Sequence, residues 1–142
     1  MESSSEPLKP HVPYEERMGR KCDFLVRYVA ALDPRFGASM PKVMQGQRSD
    51  FCYADDYRPE GGMIIYMIWP EFLGRDGKVI GEQWKEVEAE GLAGMWVLST
   101  DPQLRQYHRE QISVGTQGFM VAGSYKIAEL TVIDTSGLFR EL

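Results

Sequence analysis

The sequence predicts an all-β fold: a single antiparallel, partly Greek-key β-barrel of about six or seven strands, with short helical turns and an N-terminal arm. Three observations lead there. Residues 22–32 alternate at period two, with Cys22, Phe24, Val26, Tyr28, Ala30 and Leu32 on one face and Asp23 and Arg27 on the other. Near the C-terminus two β-rich arms, 119–122 and 125–133, flank Gly123 and Ser124. A Gly-first two-residue connection of this kind signals a type II′ hairpin, because glycine enters the positive-φ corner without strain. Between these two signals, short apolar runs are divided by Gly and Pro turns that leave little room for helix.

The remaining elements follow in order. Residues 1–20 are polar and proline-bearing and read as an arm, with one helical turn at residues 14–18. The barrel spans 21–135, and 136–142 form a C-terminal tail. Asp33 and Pro34 stop the first strand. Residues 47–54 start the next, with Phe51 and Tyr53 on one face. The continuous run 63–69 reads as a strand covered on both faces, ended by Pro70. Asp76 and Gly77 signal a type I′ turn. Residues 81–91 are acidic and fit one helical turn or an irregular crossing. Residues 92–99 form a further strand. Asp101 and Pro102 then start a short helix, as cap and first helical residue, running through Tyr107. In the final arm Ala128, Leu130 and Val132 share one face, opposite Ile127, Glu129, Thr131 and Ile133.

The bulk properties narrow the function. The 142-residue chain, 43% hydrophobic and 26% charged, is about one ordinary globular domain, able to bury roughly two thirds of its unfolded surface without staples. Its formal net charge of −5 disfavours nucleic-acid phosphates and anionic membranes and favours a basic protein partner. No apolar run approaches the ~20 residues needed to cross a bilayer. The N-terminal residues lack the basic and apolar regions of a secretory signal. Cys22 and Cys52 make no disulfide framework, so the expectation is a cytoplasmic protein with reduced thiols.

Placed in order, these pieces resemble the C-terminal β-barrel, the third domain, of elongation factor Tu. The similarity covers residues 22–133. Gly46, Gln47, Arg48, Ser49, Asp50 and Phe51 resemble that family's Gly-Tyr-Arg-Pro-Gln-Phe, and the run from Cys52 to Asp56 resembles its strand ending in Thr-Thr-Asp. The closing residues 115–133 are similar to its glycine-punctuated last hairpin. The resemblance implies a barrel and, in that family, contact with the T arm of tRNA. No Gly-x-x-x-x-Gly-Lys-Ser/Thr loop is present, so nucleotide hydrolysis is not implied. The family's arginine-rich hairpin tip is replaced here by Ala122, Gly123, Ser124 and Tyr125, with Lys126 as the remaining cation.

Each chemical constellation also has an ordinary explanation. His108 with Arg105, Tyr107 and Arg109 reads as a solvated helical turn. Cys22, Cys52, His11 and His108 lack zinc-ligand spacing, so no metal or other cofactor is expected. Asp50, Asp55 and Asp56 read as a solvated strand end, and Glu86 with Glu90 as a charged face. Trp69, Phe72, Trp84 and Trp96 read mostly as core and hairpin aromatics. No catalytic residue is assigned. The leading expectation is a non-enzymatic, stand-alone binding module, for example an immunity or adaptor protein, that holds a basic protein. Its surface would comprise Glu82, Trp84, Glu86, Val87, Glu88 and Glu90, an aromatic anchor among carboxylates. One alternative is translation-related RNA or ribosome binding through Arg35, Lys42, Arg48 and Lys126. The other is a small-molecule enzyme using His108 or Cys52 at the barrel mouth.

Overall fold

The computed structural model describes residues 7–36 and 42–140. They form α1 (Tyr14–Met18), β1 (Phe24–Ala30), β2 (Asp50–Tyr53), β3 (Ile68–Leu73), β4 (Glu90–Val97), α2 (Pro102–Gln111), β5 (Gln117–Ala122) and β6 (Tyr125–Asp134). Six antiparallel strands make one sheet in the order β2-β5-β6-β1-β4-β3. The sheet curls into a half-barrel. Its two edges meet where Phe51 and Tyr66 exchange backbone hydrogen bonds of 2.9 and 2.8 Å. Around that rim β2, β3 and β4 follow in turn and β1 lies beside β4, which is the partly Greek-key order expected from the sequence.

β6 supplies much of the curl. Opposite β5, Met120 pairs with Ala128 and Val121 with Lys126, leaving Ile127 over. Opposite β1, Val26 pairs with Val132 and Leu25 with Asp134, leaving Ile133 over. Each extra residue is a bulge, which bends the strand and raises its twist. The first bulge also corrects the simple alternation: Ile127, expected opposite Ala128, is fully buried beside it. The β5–β6 turn matches expectation. Gly123 has φ +61° while Ser124 keeps negative φ, the combination a type II′ turn needs.

Inward-facing side chains from all six strands make the core, including Phe24, Tyr28, Phe51, Phe72, Met95, Met120 and Leu130. Each such burial contributes roughly 1.5–3 kcal/mol. Described segments before β1 and after β6 pack on this core. His11 and Tyr14 of the arm are buried, and a 3-10 turn at Ser136–Phe139 inserts Leu138, which is fully buried. Residues 1–6 of the arm lie outside the described residues.

Four expectations change. Residues 63–67 are not a covered strand: Ile64, Ile65 and Met67 are exposed, and β3 begins only at Ile68. Pro70 does not end that strand but lies within it, opposite Met95, because β3 is an edge whose outer N–H positions carry no ladder bond. The turn at Asp76 is not type I′. Gly77 N donates to Gly74 O at 2.9 Å, so Arg75 and Asp76 are central, and Gly77 follows at φ +79° as a left-handed loop residue. Finally, Asp23, expected opposite the core face, is fully buried. Its carboxylate accepts from Arg20 Nη1 (2.8 Å to each oxygen), Arg105 Nη2 (2.7 Å) and Val97 N (2.7 Å), which together replace water around the charge.

α2 starts as expected, with Asp101 accepting from Gln103 N at 3.0 Å and Pro102 next, but it runs on to Gln111. No helix among the described residues is long and apolar enough to cross a membrane.

Candidate functional site

The acidic segment is an irregular crossing held by backbone on both sides. On one side His11 N donates to Gly81 O (3.0 Å) and Gln83 N to Lys9 O (2.8 Å). On the other, Trp84 N donates to Gln45 O (2.9 Å), Gln45 N to Lys85 O (2.9 Å) and Val87 N to Val43 O (3.0 Å). Buried polar side chains fix both flanks. The Gln45 amide, fully buried, spans Phe72 N, Phe72 O and Ile80 O, acting as a surrogate strand for β3. Gln83 Oε1 lies 2.7 Å from His11 Nδ1, whose ring partner on the far side is Glu71 Oε2 at 2.6 Å. Glu71 Oε2 also accepts from Tyr14 N at 2.8 Å. The arm is thereby pinned beneath the segment.

At the crest stands Trp84. It is 52% exposed, and its φ of +65° makes it the one non-glycine residue in the left-handed region among those described. A bulky side chain costs on the order of 1–2 kcal/mol there, so the two clamps hold a conformation that the residue itself disfavours. Around it, Glu82 pairs with Lys85 (3.2 Å), Glu86 with Lys42 (3.4 Å) and Glu88 with Arg75 (2.6 Å). The Arg75 guanidinium holds the Glu88 carboxyl below its ordinary range. All these pairs are exposed, where such contacts contribute about 0–1 kcal/mol and exchange readily. Glu90 opens β4 and is exposed. Val87 departs from the expected surface: it packs against the core.

The cations of the RNA alternative do not stand free. Arg35 forks onto Asp33 (2.7 Å), reaches Glu60 (3.1 Å) and lies over Tyr125. Lys42 pairs with Glu86, Arg48 lies over the Trp69 ring, and Lys126 pairs with Glu129 at 2.8 Å beside Phe119.

His108 is not solvated, and neither is Arg105. Both are buried, because the face of α2 bearing Arg105, His108 and the following Ile112 turns inward. His108 Nδ1 lies 2.6 Å from the Tyr53 hydroxyl oxygen, with the Tyr66 ring edge-on at 4.7 Å. Burial, reinforced by the charge of Arg105, lowers the imidazole pKa to about 4. Burial also raises the Tyr53 phenol well above its ordinary value and the Tyr66 phenol to about 12. Beside this cluster a polar hollow of about 570 Å³ is bordered by Tyr53, Asp55, Asp56, Tyr107 and Gln111.

The thiols do not join His108. Cys52 Sγ donates to Tyr53 O at 3.2 Å, and burial pushes its pKa up to about 11, so it stays protonated. Cys22 is half-buried and likewise raised by burial. Among the described residues no three His, Cys, Asp or Glu side chains come together as metal ligands, whether from the cysteine–histidine set or from Asp50, Asp55 and Asp56. Of the four aromatics singled out in the sequence, Phe72 and Trp96 are buried, Trp69 lies under Arg48, and Trp84 is presented to solvent.

Sequence reasoning missed Gln45 and Glu71 and weighed His11 only as a zinc ligand, although the buried hydrogen bonds of all three build the Trp84 platform. Their partners lie far along the chain, and no local pattern marks them. No family model, no curated protein and no solved structure matches this chain.

Proposed function

We propose that the chain is a non-catalytic binding module that engages a basic protein through Trp84 and the carboxylates of Glu82, Glu86, Glu88 and Glu90. The observation that carries this reading is Trp84: a half-exposed indole fixed in a left-handed backbone by hydrogen bonds on both flanks. A rigid, exposed aromatic loses little entropy on docking and is the side chain most often found at the energetic centre of an interface. Three of these carboxylates, Glu82, Glu86 and Glu88, are paired with exposed Lys85, Lys42 and Arg75, which an incoming basic surface displaces at small cost. An immunity or adaptor protein acting in the cytoplasm uses this chemistry, in line with the net charge of −5.

The test pairs two variants against the protein that co-purifies with the chain. Trp84→Ala is expected to weaken binding by roughly 30-fold or more, mainly through faster dissociation. Glu86, Glu88 and Glu90 changed together to Gln are expected to slow association and flatten its salt dependence. Unchanged rates in both variants, with intact folding, would remove this surface as the binding site.

A further inference from the structure

Residues 65–67 of the apolar run that the sequence places inside the protein instead form one wall of an open groove. Ile65 and Met67 are 42% and 61% exposed. Leu98 N donates to Met67 O at 3.1 Å and continues that wall, while Leu104 and His108 of α2 face it, around a volume of about 460 Å³. That is the size of a small-molecule site, and such sites combine apolar walls with a very few placed polar atoms. Here the placed group is His108. Its ring lines the groove yet is fully buried, and Nε2 has no hydrogen-bond partner.

The hydrogen-bonding state of that ring follows from its neighbours. The Tyr53 phenol stays protonated, and the acceptor the structure gives its hydroxyl is His108 Nδ1 at 2.6 Å. Burial keeps the imidazole neutral at physiological pH. A neutral ring that accepts at Nδ1 carries its one proton on Nε2. The result is a buried N–H donor with nothing to receive it, an arrangement costing about 1–3 kcal/mol until an acceptor arrives. Among the described residues no Asp, Glu, Lys or Arg lines the groove, and Arg105 behind it is bound to Asp23 through Nη2 at 2.7 Å. A charged occupant would lose its hydration there without an ionic partner in the lining.

We infer that this groove binds an uncharged, mainly apolar small molecule carrying one carbonyl oxygen, which accepts from His108 Nε2–H while its hydrocarbon body lies between the wall of Ile65, Met67 and Leu98 and Leu104 of α2. The site shares no residue with the Trp84 ridge. Its occupant covers apolar side chains that are otherwise left to water.

Prodan, a neutral naphthyl ketone whose emission shifts to the blue in apolar surroundings, is the probe, and N,N-dimethyl-2-naphthylamine is its carbonyl-free counterpart. The protein is expected to bind prodan with blue-shifted emission and about tenfold more tightly than the counterpart. Met67→Glu, at an exposed position on the rim, is expected to weaken both by tenfold or more. His108→Phe is expected to abolish the preference between them. Should that variant not fold, ¹⁵N spectra of the unaltered protein decide the point: the His108 Nε2 resonance should move with prodan and not with the counterpart. Equal affinities for the two dyes would overturn the inference. So would indifference to Met67→Glu, an unmoved Nε2 signal, or a Met67-dependent dimer that excludes the dye.

Discussion

Asp23 Oδ1 and Arg105 Nη2 meet at 2.7 Å in the interior, 82 residues apart in sequence. Their side chains are 0% and 4% exposed. The contact ties the start of β1 to the inward face of α2, and the same carboxylate holds Val97 N at the end of β4. It fastens α2, which belongs to no ladder, to the paired strands β1 and β4.

Breaking that junction on one side strands a guanidinium in a low-dielectric interior. Asp23→Ala is therefore expected to lower unfolding stability by about 3–5 kcal/mol, read from urea denaturation. A paired Asp23→Leu, Arg105→Met replacement removes the buried guanidinium along with the carboxylate and should recover part of the loss, the remainder reflecting Arg20 and Val97 N, which still lose their acceptor. No recovery in the pair would mean that the uncompensated Arg105 charge does not set the cost.

Trp84 offers a test of backbone strain separate from binding. Glycine accepts φ near +65° freely, and the clamps that hold the residue are backbone bonds that any residue retains. Trp84→Gly is expected to keep stability or raise it by up to about 1 kcal/mol, whereas Trp84→Val, β-branched, should lower it by more than 1 kcal/mol. Equal thermal midpoints for the two variants would show that the left-handed conformation stores no strain.

The parts of this architecture that were legible in the sequence are those decided locally. The Gly123 turn and the Asp101 cap depend on neighbours one to three residues away, and both formed as read. Alternation placed Phe24, Val26 and Tyr28 inside correctly. What escaped was decided across the chain. Apolarity at 63–67 signals contact with something apolar, but not whether that is the core or a groove. The buried face of α2 presents Arg105 and His108, so a search for aliphatic period-four spacing passes over it. The left-handed Trp84 carries no signal at all, since that conformation ordinarily calls for glycine or asparagine.

Gly118 marks the closest approach within the sheet. A Cβ at this position would stand 2.6 Å from two carbons of the Phe51 ring and 3.0 Å from Cys52 O. Phe51 is itself packed edge-on against Phe24 and Tyr53, so the ring has little room to move. Gly118→Ala is expected to cost about 1–3 kcal/mol by overpacking. The double change Gly118→Ala, Phe51→Leu should cost less than the sum of the two single changes, as measured in a thermodynamic cycle.

His108 gives stability a defined pH dependence. Its imidazole is depressed to about 4 in the folded protein by burial and by the charge of Arg105, against 6.5 for the free ring. Between those values the unfolded chain binds a proton that the folded chain refuses. Stability is then fully retained above pH 6.5 and declines as pH falls toward 4, by about 1.4 kcal/mol per pH unit across the window. Asp33 and Glu88, whose carboxyls are lowered by Arg35 and Arg75, lose their contributions only below the ordinary carboxyl values of 3.8 and 4.5. Between pH 6.5 and 5 the histidine's effect therefore stands apart from theirs. Urea midpoints should drop across that interval in the unaltered protein and fall much less in His108→Gln. A His108 ring that titrates near 6.5 by carbon-13 NMR would contradict its burial beneath Tyr66 and the tautomer assigned to it.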